Sequence, residues 1–196
     1  MTKQPIKLKE NFDKNIAPAL LKQMDRKNIW ALPRICKISI NVGLGSFIAG
    51  KKDYSQVLET LSVISGQKPV ITKARKAISN FKIKKGQPIG VSVTVRGKKM
   101  YDFFNKLVNI TLPRIRDFRG LSKKGFDTSG NYTIGIKEST VFPEVNQENI
   151  EKIHGLEVTI GTTARDNKEG YKLLKAMGFP FQEKSKEPKA QPNLNQ

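Results

Sequence analysis

The chain has 196 residues, 36 Lys and Arg against 17 Asp and Glu, and a formal net charge of +19. That length supports one substantial core, and a hydrophobic content of 37% is low for a globular protein but above the disordered class. One cysteine and one histidine exclude an intramolecular disulfide and a His/Cys metal cluster, and no apolar run approaches the ~20 residues of a membrane span.

Residues 1 to about 12 are polar and basic and are expected to be mobile. Their opening, MTKQPIKLKENF, lacks a signal-peptide apolar core, so a reduced, cytosolic protein is expected. Pro18 suits the first turn of a short helix, where a missing N–H costs nothing. Leu20, Leu21 and Met24 form its apolar face, and Trp30 and Pro33 mark the turn out of it. From Ile35 to Val42 the pattern alternates. Cys36, Ile38, Ile40 and Val42 point one way, and Lys37, Ser39 and Asn41 the other. Period two predicts a half-buried strand with a polar face, and it puts the Cys36 thiol in the core as an inert group.

The stretch Gly45-x-x-x-x-Gly50-Lys51-Lys52 nearly matches a phosphate-cradling P-loop between a strand and a helix. Lys52 stands where Ser or Thr would hold Mg²⁺, and no apolar strand ending in a suitable Asp follows. A nucleotide-hydrolysing protein is therefore the alternative, not the leading function. Tyr54, Val57, Leu58, Leu61 and Ile64 then recur at helical spacing, with Gly66 as the stop. Val70 to Thr72 is a short extended piece. Thr72 to Pro88 is a basic loop in which Phe81 and Ile83 alternate with Lys82, Lys84 and Lys85. Two readings are open for Phe81 and Ile83, a buried anchor or a side chain stacked on a nucleotide, and an isolated Phe favours the core.

Val91, Val93 and Val95 alternate with Ser92, Thr94 and Arg96 and predict a second strand. Met100, Phe103, Phe104, Leu107 and Val108 form a helical core stripe that ends before Pro113. The loop Pro113 to Gly120 exposes Arg114, Arg116 and Arg119, and guanidinium groups suit two-pronged contacts to phosphate. Tyr132–Ile134–Ile136 and Leu156–Val158–Ile160 mark two more strands. Asp166 caps a last helix through Gly170, Leu173, Leu174 and Met177. Residues 182–196 read as a disordered polar tail, and residues 1–181 as one domain.

Charge is concentrated between Ile71 and Leu121, where thirteen cations face only Asp102 and Asp117. Like charge at this density repels itself, and a polyanion relieves that repulsion. RNA is the first candidate, against the plainer alternative of a solvated basic surface. A third possibility is a membrane-surface protein. It is disfavoured because the basic helices pair their cations with stripes that a sheet should bury.

Several segments resemble the bacterial-type large-subunit ribosomal protein L-five family. They are Lys37-Ile-Ser-Ile-Asn-Val-Gly-Leu-Gly45, Ser65-Gly-Gln-Lys-Pro69, Ile71-Thr-Lys-Ala-Arg-Lys76, Asn80-Phe-Lys-Ile-Lys84, Pro88-Ile-Gly90, Pro113-Arg-Ile-Arg-Asp-Phe-Arg-Gly-Leu121, Gly130-Asn-Tyr132, Phe142-Pro-Glu144 and Gly178-Phe-Pro-Phe181. They run in the family's order from about residue 12 to 181. The resemblance implies an α+β fold, an antiparallel β-sheet with helices packed on one face. It implies a structural, non-catalytic protein without cofactor or metal, on the cytoplasmic ribosome. The implied partners are 5S rRNA held in the central protuberance, 23S rRNA, P-site tRNA, small-subunit ribosomal protein thirteen and neighbouring central-protuberance proteins, with no membrane. The family's polar residues for 5S rRNA map onto Asn41, Gln67 and Thr94. Lys37, Thr72, Lys73 and Arg75 complete the site expected for that RNA. Phe81, Lys82, Lys84 and Lys85 with Arg114, Arg116 and Arg119 are expected to touch tRNA or the small subunit.

Overall fold

The alternating segments pair into a five-stranded antiparallel sheet of β1 (Ile35–Gly43), β2 (Val70–Lys73), β3 (Pro88–Val95), β4 (Tyr132–Ile136) and β5 (Leu156–Thr162). A computed structural model describes residues 8–50, 53–145 and 154–182. The strand order is β2-β3-β1-β5-β4. Ile38, Ile40, Val42, Val91, Val93, Val95, Ile134, Val158 and Ile160 are all buried on one side of it. Each such side chain contributes about 1.5–3 kcal/mol by leaving water. Helices α4 (Ser55–Ser65), α5 (Gly97–Lys106) and α6 (Asn167–Ala176) add Val57, Leu61, Ile64, Met100, Phe103, Phe104, Leu173 and Leu174 to the same core. The fold is therefore α+β with its helices against one face.

The helix boundaries follow local chemistry. Gly66 adopts φ +62°, the left-handed conformation that closes α4, and its N–H donates to the Ser62 carbonyl. Asp166 caps α6 by accepting the Glu169 N–H at 2.7 Å. Beyond Lys106, α5 widens into a π turn over Leu107–Thr111 and tightens into a 3₁₀ turn over Leu112–Arg114. The helical path thus runs past Pro113 instead of stopping before it. At residue 170, α6 lies directly on the turn before β4. A Cβ on Gly170 would stand 2.4 Å from the Gly130 carbonyl oxygen, so only glycine permits this approach.

Four sequence expectations are corrected. Cys36 is exposed, with its Sγ 3.3 Å from the Gly161 carbonyl. A β-bulge between Ile35 and Lys37 inserts one extra residue, so Ile35 takes the inward position that simple alternation gave to Cys36. The chain is already helical before residue 12, in α1 (Leu8–Asn11). A π turn, Phe12–Ile16, joins α1 to α2 (Ala17–Gln23), and Phe12 is buried. Pro18 does lie in the first turn of α2, and the widened turn directly before it accommodates a residue that has no N–H to give. The P-loop-like stretch is a short helix, α3 (Gly45–Ala49), and not an open cradle of backbone N–H groups. Finally, Phe81 is 73% exposed and anchors nothing in the core. Residues 1–7, Lys51, Lys52 and the tail 183–196 lie outside the described residues, as do the mobility and disorder expected of the two ends.

An aromatic cluster secures the C-terminal end of the fold. Tyr132 lies 4.6 Å from Phe126, 5.4 Å from Phe179 and 5.5 Å from Phe181 between ring centroids, and its hydroxyl donates to the Ser122 carbonyl at 2.6 Å. Burial pushes the Tyr132 phenol up from 10.0 to about 12. A raised phenol pKa stabilises the fold fully below the unfolded value and loses that contribution as pH climbs through the folded one. Stability should therefore carry an extra loss of roughly 2–3 kcal/mol between about pH 10 and 12. Denaturant titrations of wild type and Tyr132→Phe across that range check this. The variant should lack the extra slope, and identical slopes would refute it.

Candidate nucleic-acid interface

Among the described residues no helix covers the second face of the sheet. Lys37, Asn41, Thr72, Thr94 and Glu157 are exposed there, and Ser39, Ser92, Thr133 and Thr159 are half-buried. Strand register explains the set. Asn41 pairs with Ser92 and Ser39 with Thr94 across β1 and β3. Thr72 pairs with Gly90 across β2 and β3, and Ser39 with Thr159 across β1 and β5. Alternation puts every one of these on the side away from the core. Hydroxyls and an amide dominate the surface, so it offers both donors and acceptors without a fixed charge pattern.

Two glycines shape the face. A Cβ on Gly90 would stand 2.9 Å from Thr72 Oγ1, 3.1 Å from the Val42 carbonyl and 3.8 Å from Asn41 Oδ1. The bare backbone of Gly90 therefore lets the Thr72 hydroxyl lie directly over it. At Gly161 a Cβ would stand 2.9 Å from Lys37 Cγ, so the aliphatic stem of Lys37 crosses the bare backbone of β5. Burying the stem there fixes the direction of a long cation. Gly90, Gly161 and Thr159 escape a sequence reading because each signals nothing alone. Only pairing across strands brings them to the surface that carries Asn41 and Thr94.

Lys73 and Arg75, both exposed, continue from the edge strand β2. Gln67 is half-buried in the turn between α4 and β2, its N–H held by the Ser65 hydroxyl at 3.3 Å. The fold thus unites Lys37, Asn41, Thr72 and Thr94 on one surface, with Lys73 and Arg75 at its margin. Gln67 enters from the turn that leads into the edge.

The basic loop is more regular than its composition implies. Ala74 and Gln87 extend the β2–β3 ladder with a 2.8 Å N–H···O bond, and Ile78 and Ile83 exchange two more. Four residues, Ser79 to Lys82, close the hairpin, with Lys82 at φ +54°. Phe81 sits exposed at this tip, and Lys82, Lys84 and Lys85 are exposed beside it. Arg114, Arg116 and Arg119 are also exposed. Arg116 lines a hollow of about 260 Å³ with Gly135 and Ile136 of β4. The hairpin thus continues the β2–β3 edge and Arg116 stands by β4 at the other, and those edges are about 19 Å apart by strand spacing alone.

Not every cation in the basic stretch is free for a ligand. Lys99 Nζ donates to the Gly66 carbonyl at 2.9 Å, and Lys106 Nζ to the Ile64 carbonyl at 2.8 Å and to Glu144 at 2.7 Å. Both ammonium groups close the negative C-terminal end of α4. They belong to the fold. Among the described residues no group of three His, Cys, Asp or Glu could hold a metal ion, and no helix is long and apolar enough to cross a membrane.

Fold and surface together define a basic α+β protein with one open sheet face. Comparison with known proteins then narrows the class. Residues 28–84 match the family described as ribosomal protein L5, and residues 88–181 the ribosomal L5P family C-terminus. The chain is 49% identical over 181 residues to the large ribosomal subunit protein uL5 of Syntrophotalea carbinolica, covering 92% of this chain and 98% of that one. It is 51% identical over 174 residues to the uL5 of Halothermothrix orenii, covering 89% and 97%. The chain belongs to the ribosomal protein L5 family. It is thus a structural ribosomal protein of the cytoplasm, without enzymatic activity.

Proposed function

We propose that this chain is a structural constituent of the large ribosomal subunit that binds 5S rRNA on the open face of its sheet and helps to attach it in the central protuberance. The observation that carries the proposal is the set of neutral polar groups, Asn41, Thr72 and Thr94, exposed together on the open face within a basic margin. Phosphate contacts hold an RNA without reading it, and hydroxyl and amide groups on a rigid platform can read unpaired bases. Lys37, Lys73 and Arg75 supply the phosphate contacts, and Gln67 extends the reading groups toward the edge strand. Residues 1–181 act in this proposal as one binding domain, with 23S rRNA and neighbouring central-protuberance proteins as further contacts.

The hairpin tip, with Phe81, Lys82, Lys84 and Lys85, serves P-site tRNA. Arg114, Arg116 and Arg119, at the opposite edge, serve the bridge to small-subunit ribosomal protein thirteen. The separation of the two groups supports two different partners. A tip that projects from the ladder can meet a second partner without disturbing the first. Recovering RNA crosslinked to the chain from total cellular RNA tests the main proposal, with 5S rRNA expected as the dominant species. Replacing Lys82, Lys84 and Lys85 together by Ala should leave folding and 5S rRNA binding within about twofold and weaken tRNA contact instead. Loss of 5S rRNA binding in that triple variant would refute the division of labour.

A further inference from the structure

Trp30 is the only tryptophan of the chain, and it is 81% exposed. Large aromatic residues so far out in water mark contact surfaces when they are held rigidly. This one is held. Asn28 Oδ1 accepts the Trp30 backbone N–H at 2.9 Å, and the Arg26 guanidinium donates to the Ala31 carbonyl at 2.9 Å while pairing with Glu169, so the backbone that carries the ring is fixed. The Arg34 guanidinium lies 5.0 Å from the Trp30 ring centroid and 5.8 Å from that of Phe12. Arg34 therefore fixes the indole from one side, and the exposure belongs to the other.

The position is equally telling. Arg34 joins the end of β5 through its N–H to Thr163 Oγ1 and through its carbonyl to the Thr163 N–H, both at 2.9 Å. Three residues later Lys37 begins the polar row of the open face. Between Arg26 and Lys37 the chain holds four cations and no acid, and Glu169 offsets one of them, Arg26. An apolar protein surface would have to bury that charge, whereas a polyanion is attracted by it. Aromatic rings beside cations accept nucleobases, because every base offers a flat face to stack.

We infer that Trp30 is a stacking platform for one unpaired nucleobase of the RNA that lies on the open sheet face. The inference rests on the RNA-binding function proposed above and extends its surface past the Lys37 end of β1.

The chain carries its own probe, since any intrinsic tryptophan emission comes from Trp30. The full-length protein is titrated with end-labelled 5S rRNA while RNA anisotropy and tryptophan emission are followed together. Stacking predicts emission quenched in step with the rise in anisotropy. Trp30→Leu should weaken binding about tenfold or more, and Trp30→Phe should recover most of the loss, with the salt dependence unchanged in both. Circular dichroism of both variants shows that they fold. A normal rise in anisotropy with unchanged emission, or a Leu variant that binds like wild type, overturns the platform and leaves the RNA-binding proposal standing. Emission that shifts only in assembled large subunits, and not with RNA alone, assigns Trp30 to a protein contact and also overturns it. No rise in anisotropy at all sinks the underlying proposal itself.

Discussion

Affinity for 5S rRNA should fall by about two to four orders of magnitude between roughly 50 and 200 mM salt if about five to eight phosphates are contacted. The net charge of +19 supplies the attraction, and exposed Lys37, Lys73, Arg75 and Lys76 are placed to deliver it. Each contact that neutralises a phosphate releases condensed counterions, so the dependence counts contacts instead of merely registering charge. Replacing Lys73 and Arg75 by Ala should flatten the plot of log affinity against log salt by about one to two units. Lys99→Ala should not flatten it, because that ammonium is engaged with the end of α4 at Gly66. Its loss should appear as lower stability, by about 0.3–1 kcal/mol for a cation at a helix C-terminus. Filter binding across a salt series decides the matter. A slope near zero for wild type, or an equal change in slope for Lys73/Arg75 and Lys99 variants, would sink the electrostatic account.

The second large effect concerns specificity. Asn41→Ala and Thr94→Ala should each cost roughly 1–3 kcal/mol of 5S rRNA binding, as for a polar group left unpaired at an interface. Neither substitution removes a charge, so the salt slope should stay where it is. Both side chains are exposed in the free protein and rest on strands whose opposite faces, Ile38–Ile40 and Val93–Val95, are buried. Folding should therefore hardly change. Gly90→Ala probes the same surface from below. Its new methyl would approach Thr72 Oγ1 to 2.9 Å and the Val42 carbonyl to 3.1 Å, so the hydroxyl must shift. That variant should lose 5S rRNA affinity by a comparable amount while gaining no new charge and losing none.

Strand and helix positions were legible in the sequence because period two and period 3.6 report burial directly. Asn41 and Thr94 were placed on polar faces by that pattern alone, and Gly66 and Asp166 marked helix ends through chemistry that needs no tertiary context. The errors have physical causes. Cys36 was misplaced because a bulge adds a residue without changing local composition. Phe81 was taken for an anchor because hydrophobicity does not tell a core from the tip of a hairpin. Lys99 and Lys106 add to the charge of the basic stretch, and the sequence does not reveal that they are engaged, because their carbonyl partners at Gly66 and Ile64 lie 33 and 42 residues away. Gly90 and Gly161 carried no signal, since what they do depends on which side chain crosses them from the next strand.

The central claim is that the open sheet face reads 5S rRNA by neutral hydrogen-bonding groups and that the surrounding cations only hold it. The most direct measurement is a competition titration of 5S rRNA against an unrelated structured RNA, made with wild type, Asn41→Ala and Thr94→Ala at two salt concentrations. The account predicts that both variants lose preference for 5S rRNA by about five- to a hundredfold, with binding of the control RNA and the response to salt nearly unchanged. Equal weakening toward both RNAs, or no weakening toward either, would contradict it.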